Sequence, residues 1–123
     1  MLKERIGNVK KEMRELKVQG NVVLLDDYDY VRFCHIHWKI RSTKDKNAGK
    51  YICCNKRVLV PSEYRFRRKT IYLHRAVMSS FYGLDLPTDI EVHHKNGNTL
   101  DNRRENLELM KRDKHNKITR ANQ

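Results

Sequence analysis

The sequence predicts an α+β protein: an N-terminal helix and a small antiparallel sheet, followed by a strand, loop, strand, helix unit. Three observations predict it. Apolar residues at the amino end recur at helical spacing, and the middle of the chain alternates in short runs bounded by turn residues. The last third places two adjacent histidines and an asparagine- and glycine-rich loop between two further apolar runs, with a basic tail behind them. At 123 residues the chain has the length of one domain with one main core.

Leu2, Ile6, Val9, Met13 and Leu16 are spaced by fours and threes, which predicts an amphipathic helix over 2–18, ended by Gly20 and Asn21, so that 1–20 forms the first unit. Its apolar stripe packs on the rest of the chain, giving a monomer, or on a second copy, giving a homodimer. The second unit, 21–73, reads as the sheet. Strand-like runs occupy 22–25, 38–42, 51–54, 57–60 and 70–73, separated by the acidic turn at Asp26 and Asp27, a segment rich in aromatic residues (Tyr28, Tyr30, Phe33), and a hairpin loop at Asn47, Ala48 and Gly49. Pro61 and the cluster Arg65, Arg67, Arg68 and Lys69 precede the last of these strands.

The third unit, 74–123, opens with a short helix over 74–82, read from Ala76, Val77, Ser80 and Phe81 and stopped by Gly83 and Pro87. Ile90 and Val92 then mark a strand that delivers His93 and His94. A loop with Asn98, Asp101 and Asn102 leads to a second strand over 106–110, and a basic helix starts near Asp113.

Lys and Arg outnumber Asp and Glu by 27 to 15, a formal charge of +12 with an isoelectric point near 9.8. That excess is the footprint of a phosphate-backbone binder and makes double-stranded DNA the leading partner. The first residues contain no continuous apolar run, so neither a signal peptide nor a membrane span is expected and the cytoplasm is the expected location. The cysteines, Cys34, Cys53 and Cys54, are odd in number and fit reduced thiols. With His35 and His37 they are of the right type for a second, structural zinc site. They lack paired Cys-x-x-Cys spacing, so half-buried strand cysteines are expected instead.

Neighbouring side chains on a strand point to opposite faces, so His93 and His94 have different tasks: one ligates a metal and the other acts on water. A returning helix brings His115 opposite them. Asn106 has the side chain for tying down backbone groups, and Asn98 and Asn102 suit left-handed turn positions. Asn116, beside His115, is the alternative ligand if the helix starts one residue later.

His93-His94, the Asn96-Gly97-Asn98 loop, Asp101-Asn102-Arg103, Glu105-Asn106-Leu107 and His115-Asn116 together resemble the HNH nuclease signature, over 90–117. A weaker likeness, through residues 26–30, Trp38 and Leu73-His74-Arg75, extends it to 22–117 and resembles phage and intron-encoded homing-type HNH endonucleases. The resemblance implies a ββα-metal fold and hydrolysis of DNA phosphodiesters, leaving 5′-phosphate and 3′-hydroxyl ends. It implies His94 as general base, Asn106 as the residue that fixes the loop, and His93 and His115 as ligands of one divalent metal. Many homing-type relatives have Asp where this chain has His93, so Mg²⁺, Mn²⁺, Zn²⁺ and Ni²⁺ all stay open. Arg103, Arg104, Lys114 and Lys117, with the cluster Arg65, Arg67, Arg68 and Lys69, are expected at DNA phosphates. If phage-encoded, the protein would work in the host cytoplasm. The rival reading is a noncatalytic, metal-stabilised DNA-binding module.

Overall fold

The computed structural model describes residues 12–42 and 50–112. Strands β1 (Met13–Val18) and β2 (Asn21–Asp26) form an antiparallel hairpin. Its two-residue turn has positive φ at both Gln19 (48°) and Gly20 (82°), the backbone that matches the twist of a tight hairpin and that glycine adopts without strain. The helix expected over 2–18 is therefore corrected at its described end: Met13–Val18 is a strand, because pairing with β2 supplies partners for its backbone and buries Val18. The remainder of that helix lies outside the described residues, as does the basic helix expected near Asp113.

Helix α1 (Asp27–Phe33) follows β2 directly. Its aromatic and β-branched composition favours a strand, and the fold overrides that preference. Asp29 turns inward to Arg104, and Phe33 packs edge-on to Trp38, whose indole N–H donates to the Phe33 carbonyl.

Strands β3 (Lys39–Ser42), β4 (Lys50–Val60) and β5 (Arg65–Tyr72) make a three-stranded antiparallel sheet in that order. The two runs read at 51–54 and 57–60 are one long strand, and β5 begins five residues before the run read at 70–73. Because β3 ends early, the far ends of β4 and β5 continue as a two-stranded ribbon. Helix α2 (Leu73–Tyr82) starts where β5 stops and ends at Gly83, whose φ of 70° is the left-handed cap read from the sequence. Strands β6 (Ile90–His94) and β7 (Leu107–Lys111) pair antiparallel, with His93 opposite Glu108 and His94 opposite Leu107.

One core joins these pieces: Val18, Val23, Leu25, Phe33, Trp38, Ile52, Leu73, Val77, Met78, Val92 and Leu107. Burying side chains of this size contributes about 1.5–3 kcal/mol each before entropy is charged against it. The hairpin also bonds to the loop between β6 and β7. The Leu24 N–H donates to the Leu100 carbonyl, the Asn102 N–H to the Leu24 carbonyl and the Arg104 N–H to Asp26. Among the described residues no helix is long and apolar enough to cross a membrane.

Candidate active site

Strand β6 ends at the two histidines, and its pleat separates them: His93 is half-buried, whereas His94 turns inward and is only 5% exposed. His94 Nε2 lies 2.9 Å from Asn102 Oδ1. An amide oxygen only accepts, so in this arrangement Nε2 carries the proton and Nδ1 keeps the lone pair. Burial holds the His94 imidazole below its ordinary 6.5, aided by the charge of His93 and opposed by Asn102 and Asp101, so the ring is neutral at pH 7. The other half of the same amide, Asn102 Nδ2, is buried and has no hydrogen-bond partner among the described residues.

The loop after His94 is held by its asparagines. Gly97, at φ 76°, closes a turn on the His94 carbonyl, and Asn98 Oδ1 accepts from the Leu100 N–H. Asn106 lies beneath the loop. Its Oδ1 accepts from the Asn96 N–H at 3.1 Å, and its Nδ2 donates to Asn96 Oδ1 and to the Asp101 carbonyl, each at 2.9 Å. Asn98 and Asn102 were expected in left-handed backbone, and neither adopts it. Asn98 serves through local hydrogen bonds alone, while Asn102 is buried against the catalytic candidate.

Arg103 and Arg104, expected at phosphates, are both engaged by carboxylates. Arg103 spans Asp101 and Glu105, which holds the Asp101 carboxyl below its usual range and raises the guanidinium further. Arg104 clamps Asp29 through two nitrogens at 2.9 and 3.0 Å, with the Asp29 side chain fully buried. Desolvation outweighs that clamp and keeps the Asp29 carboxyl above 3.8. Arg65 and Arg67 share Glu63, whereas Arg68 and Lys69 have no ion-pair partner among the described residues.

Sequence reasoning missed the neighbours of His94. His74 lies in the first turn of α2; its ring centroid is 5.1 Å from that of His94, and Tyr51 and Tyr72 complete the cluster at 5.6 and 5.7 Å from His74. Burial, reinforced by His94 and Arg75, pushes His74 down to about 3, so it stays neutral. Arg75, the next residue, donates to the Ile90 and Pro87 carbonyls and seats α2 against the start of β6. The histidine and arginine at 74 and 75 were visible as part of a motif, but only the fold shows that one stacks on His94 and the other fixes its strand.

For a metal, His93 offers a partly accessible imidazole at a strand end. Its expected co-ligand His115, and Asn116, Lys114 and Lys117, lie outside the described residues. Among the described residues no three His, Cys, Asp or Glu side chains converge as a closed metal site requires, and this includes Cys34, His35, His37, Cys53 and Cys54. An imidazole of this kind is one donor that a divalent metal accepts.

Residues 71–117 match the family model described as HNH endonuclease. No curated protein and no solved structure matches the chain.

Proposed function

From the match of residues 71–117 to the HNH endonuclease family model we propose that the chain is a metal-dependent endonuclease hydrolysing phosphodiester bonds of duplex DNA. The observation that carries this reading is His94: a buried neutral imidazole, with one nitrogen fixed by Asn102, on a strand end whose following loop is pinned by Asn106.

His94 is the general base. Its Nδ1 takes a proton from water as the water oxygen bonds to phosphorus and the bond to the 3′ oxygen breaks; that oxygen takes a proton from solvent, leaving a 5′-phosphate and a 3′-hydroxyl. Asn102 sets the tautomer, and Asn106 acts at one remove by holding the loop that carries Asn102. His93 and His115 would hold one divalent metal, which when bound supplies neutralisation of charge at the phosphate. Mg²⁺, Mn²⁺, Zn²⁺ and Ni²⁺ all stay open for it; the imidazole at His93 is a donor that suits transition metals. The basic ribbon of β4 and β5, with Arg68 unpaired among the described residues, and Lys114 and Lys117 bind the DNA backbone. Arg103 and Arg104, tied to carboxylates, chiefly shape the loop. A homing-type role and work inside a host cell belong to this proposal as well.

Cleavage of supercoiled plasmid at low salt tests it, with wild type and His94→Gln compared in each metal and in EDTA. Nicking by the wild type that needs metal, and is lost in His94→Gln at retained DNA binding, supports the assignment. Equal cutting by the two proteins removes His94 as base. DNA retention without cutting by either protein favours the noncatalytic binding module.

A further inference from the structure

The sheet of β3, β4 and β5 has two unlike faces. Register fixes them, since cross-strand partners share a face and successive residues alternate. One face carries Ile40, Ile52 and Cys54, which pack in or against the core, and Ile71 opposite Cys54. Further out it carries Lys56 beside Lys69, and Arg67 and Arg65, the latter two tied to Glu63.

The opposite face runs Lys39, Arg41, Tyr51, Cys53, Tyr72, Asn55, Thr70, Arg57, Arg68, then Leu59 and Phe66 at the tip. Lys39, Arg41, Arg57 and Arg68 are exposed there, and none is ion-paired among the described residues. No Asp or Glu occurs in the three strands. Arg41 donates to the Tyr72 hydroxyl at 3.0 Å, Thr70 bonds Asn55, and Arg57 lies over the Phe66 ring at 4.5 Å, so the row is preorganised. At its inner end the same face meets the active-site cluster: Tyr51 contacts the rings of His74 and His94, and Tyr72 that of His74.

We infer that this outer face, running from the ribbon tip through Arg68, Arg57 and Arg41 to Tyr51, is a duplex-DNA track that leads the backbone into His94. It is cationic without a competing carboxylate, as a polyphosphate track requires. A two-stranded ribbon also fits the major groove of B-DNA. Seven residues of ribbon beyond β3 reach roughly 20 Å, about six base pairs of duplex. The track lies almost wholly outside the segment that matches the nuclease family and depends on that reading only for what happens at its inner end. The core-side face, where Lys56 and Lys69 join Arg32 and Arg75 along a groove of about 830 Å³, is the competing surface.

The test is fluorescence anisotropy with a short mixed-sequence duplex, in EDTA and across a salt series, so that no cleavage step enters. Arg57→Gln/Arg68→Gln is expected to raise Kd about tenfold or more and to flatten the log Kd against log salt slope by about 1.8, two phosphate contacts' worth. Arg57→Lys/Arg68→Lys keeps the charges and is expected to keep the slope. Lys56→Gln/Lys69→Gln, on the other face, is expected to shift Kd by no more than about twofold. Equal or larger loss in the Lys56 and Lys69 variant, or an unchanged slope in the Arg57 and Arg68 variant, overturns the track. So does tighter binding of RNA of the same sequence. Because only binding is read, an inactive His94 centre would leave these results as they stand.

Discussion

Arg104 was expected to contact phosphate, and its geometry makes a different and measurable claim. Its guanidinium grips Asp29 at 2.9 and 3.0 Å, with the two side chains 28% and 1% exposed. Replacing Arg104 by Met keeps most of the stem and leaves a buried carboxylate without its counter-charge. Breaking a buried pair in this way costs about 3–5 kcal/mol when both partners are buried, and the partly open guanidinium side places this one below that range, about 2–3 kcal/mol. Asp29→Asn leaves the charge on the arginine, which can reach water, so it costs only about 1 kcal/mol. The double variant recovers part of the sum, giving a coupling of about 1–2 kcal/mol. Desolvation already holds the Asp29 carboxyl high, and without Arg104 it rises further. A carboxyl with a raised folded pKa favours the folded state when protonated, so the Arg104→Met deficit is largest near pH 7 and shrinks as pH falls through that pKa. Urea denaturation at several pH values, with duplex binding measured in parallel, reads both quantities. Stability within about 0.5 kcal/mol of wild type, with binding reduced, would refute the argument and return Arg104 to the phosphates.

Asn106→Ala removes three hydrogen bonds and leaves the Asp101 carbonyl unmatched, so a loss of about 2–3 kcal/mol is expected in urea denaturation, with plasmid nicking falling further than the unfolded fraction explains; wild-type stability would mean that the loop is held elsewhere. His74, held neutral down to about 3 against 6.5 when unfolded, contributes stability that is full above about pH 6.5 and is lost as pH falls towards 3. Within that window the slope is about 1.4 kcal/mol per pH unit, and His74→Phe should flatten the acid side of the stability profile by that amount; an identical profile for the two proteins would show His74 to be solvated.

Much of the nuclease half was legible because its signals are local. Ile90 and Val92 alternate up to the histidines, Gly83 stops its helix, and the asparagine spacing marks the loop. The amino half misled for physical reasons. Met13 and Leu16 continue a four-and-three spacing, yet Leu16 and Val18 also alternate, and what decides between helix and strand is the partner β2. The aromatic segment with Tyr28, Tyr30 and Phe33 is assigned no element by the sequence, and the helix it forms is held by contacts with Arg104 and Trp38. At the site, alternation correctly divided His93 from His94. It could not reveal His74 and Tyr51, because ring stacking between residues 20 and 43 positions from His94 leaves no periodic trace.

The hydrogen bonds that tie Leu24 to Leu100 and Asn102, one donated and one accepted by Leu24, bear on how such a motif travels between proteins. The segment that matches the family begins at residue 71, but the loop of its β6–β7 hairpin hangs on a strand some 80 residues upstream. A graft cut at the family boundary would carry the histidines and leave behind the peg on which their loop is hung. Any host accepting this segment would have to supply an edge strand in the place of β2, with a carboxylate where Asp26 receives the Arg104 N–H. Inheritance of the chemistry is thereby tied to inheritance of a hairpin that contains none of it.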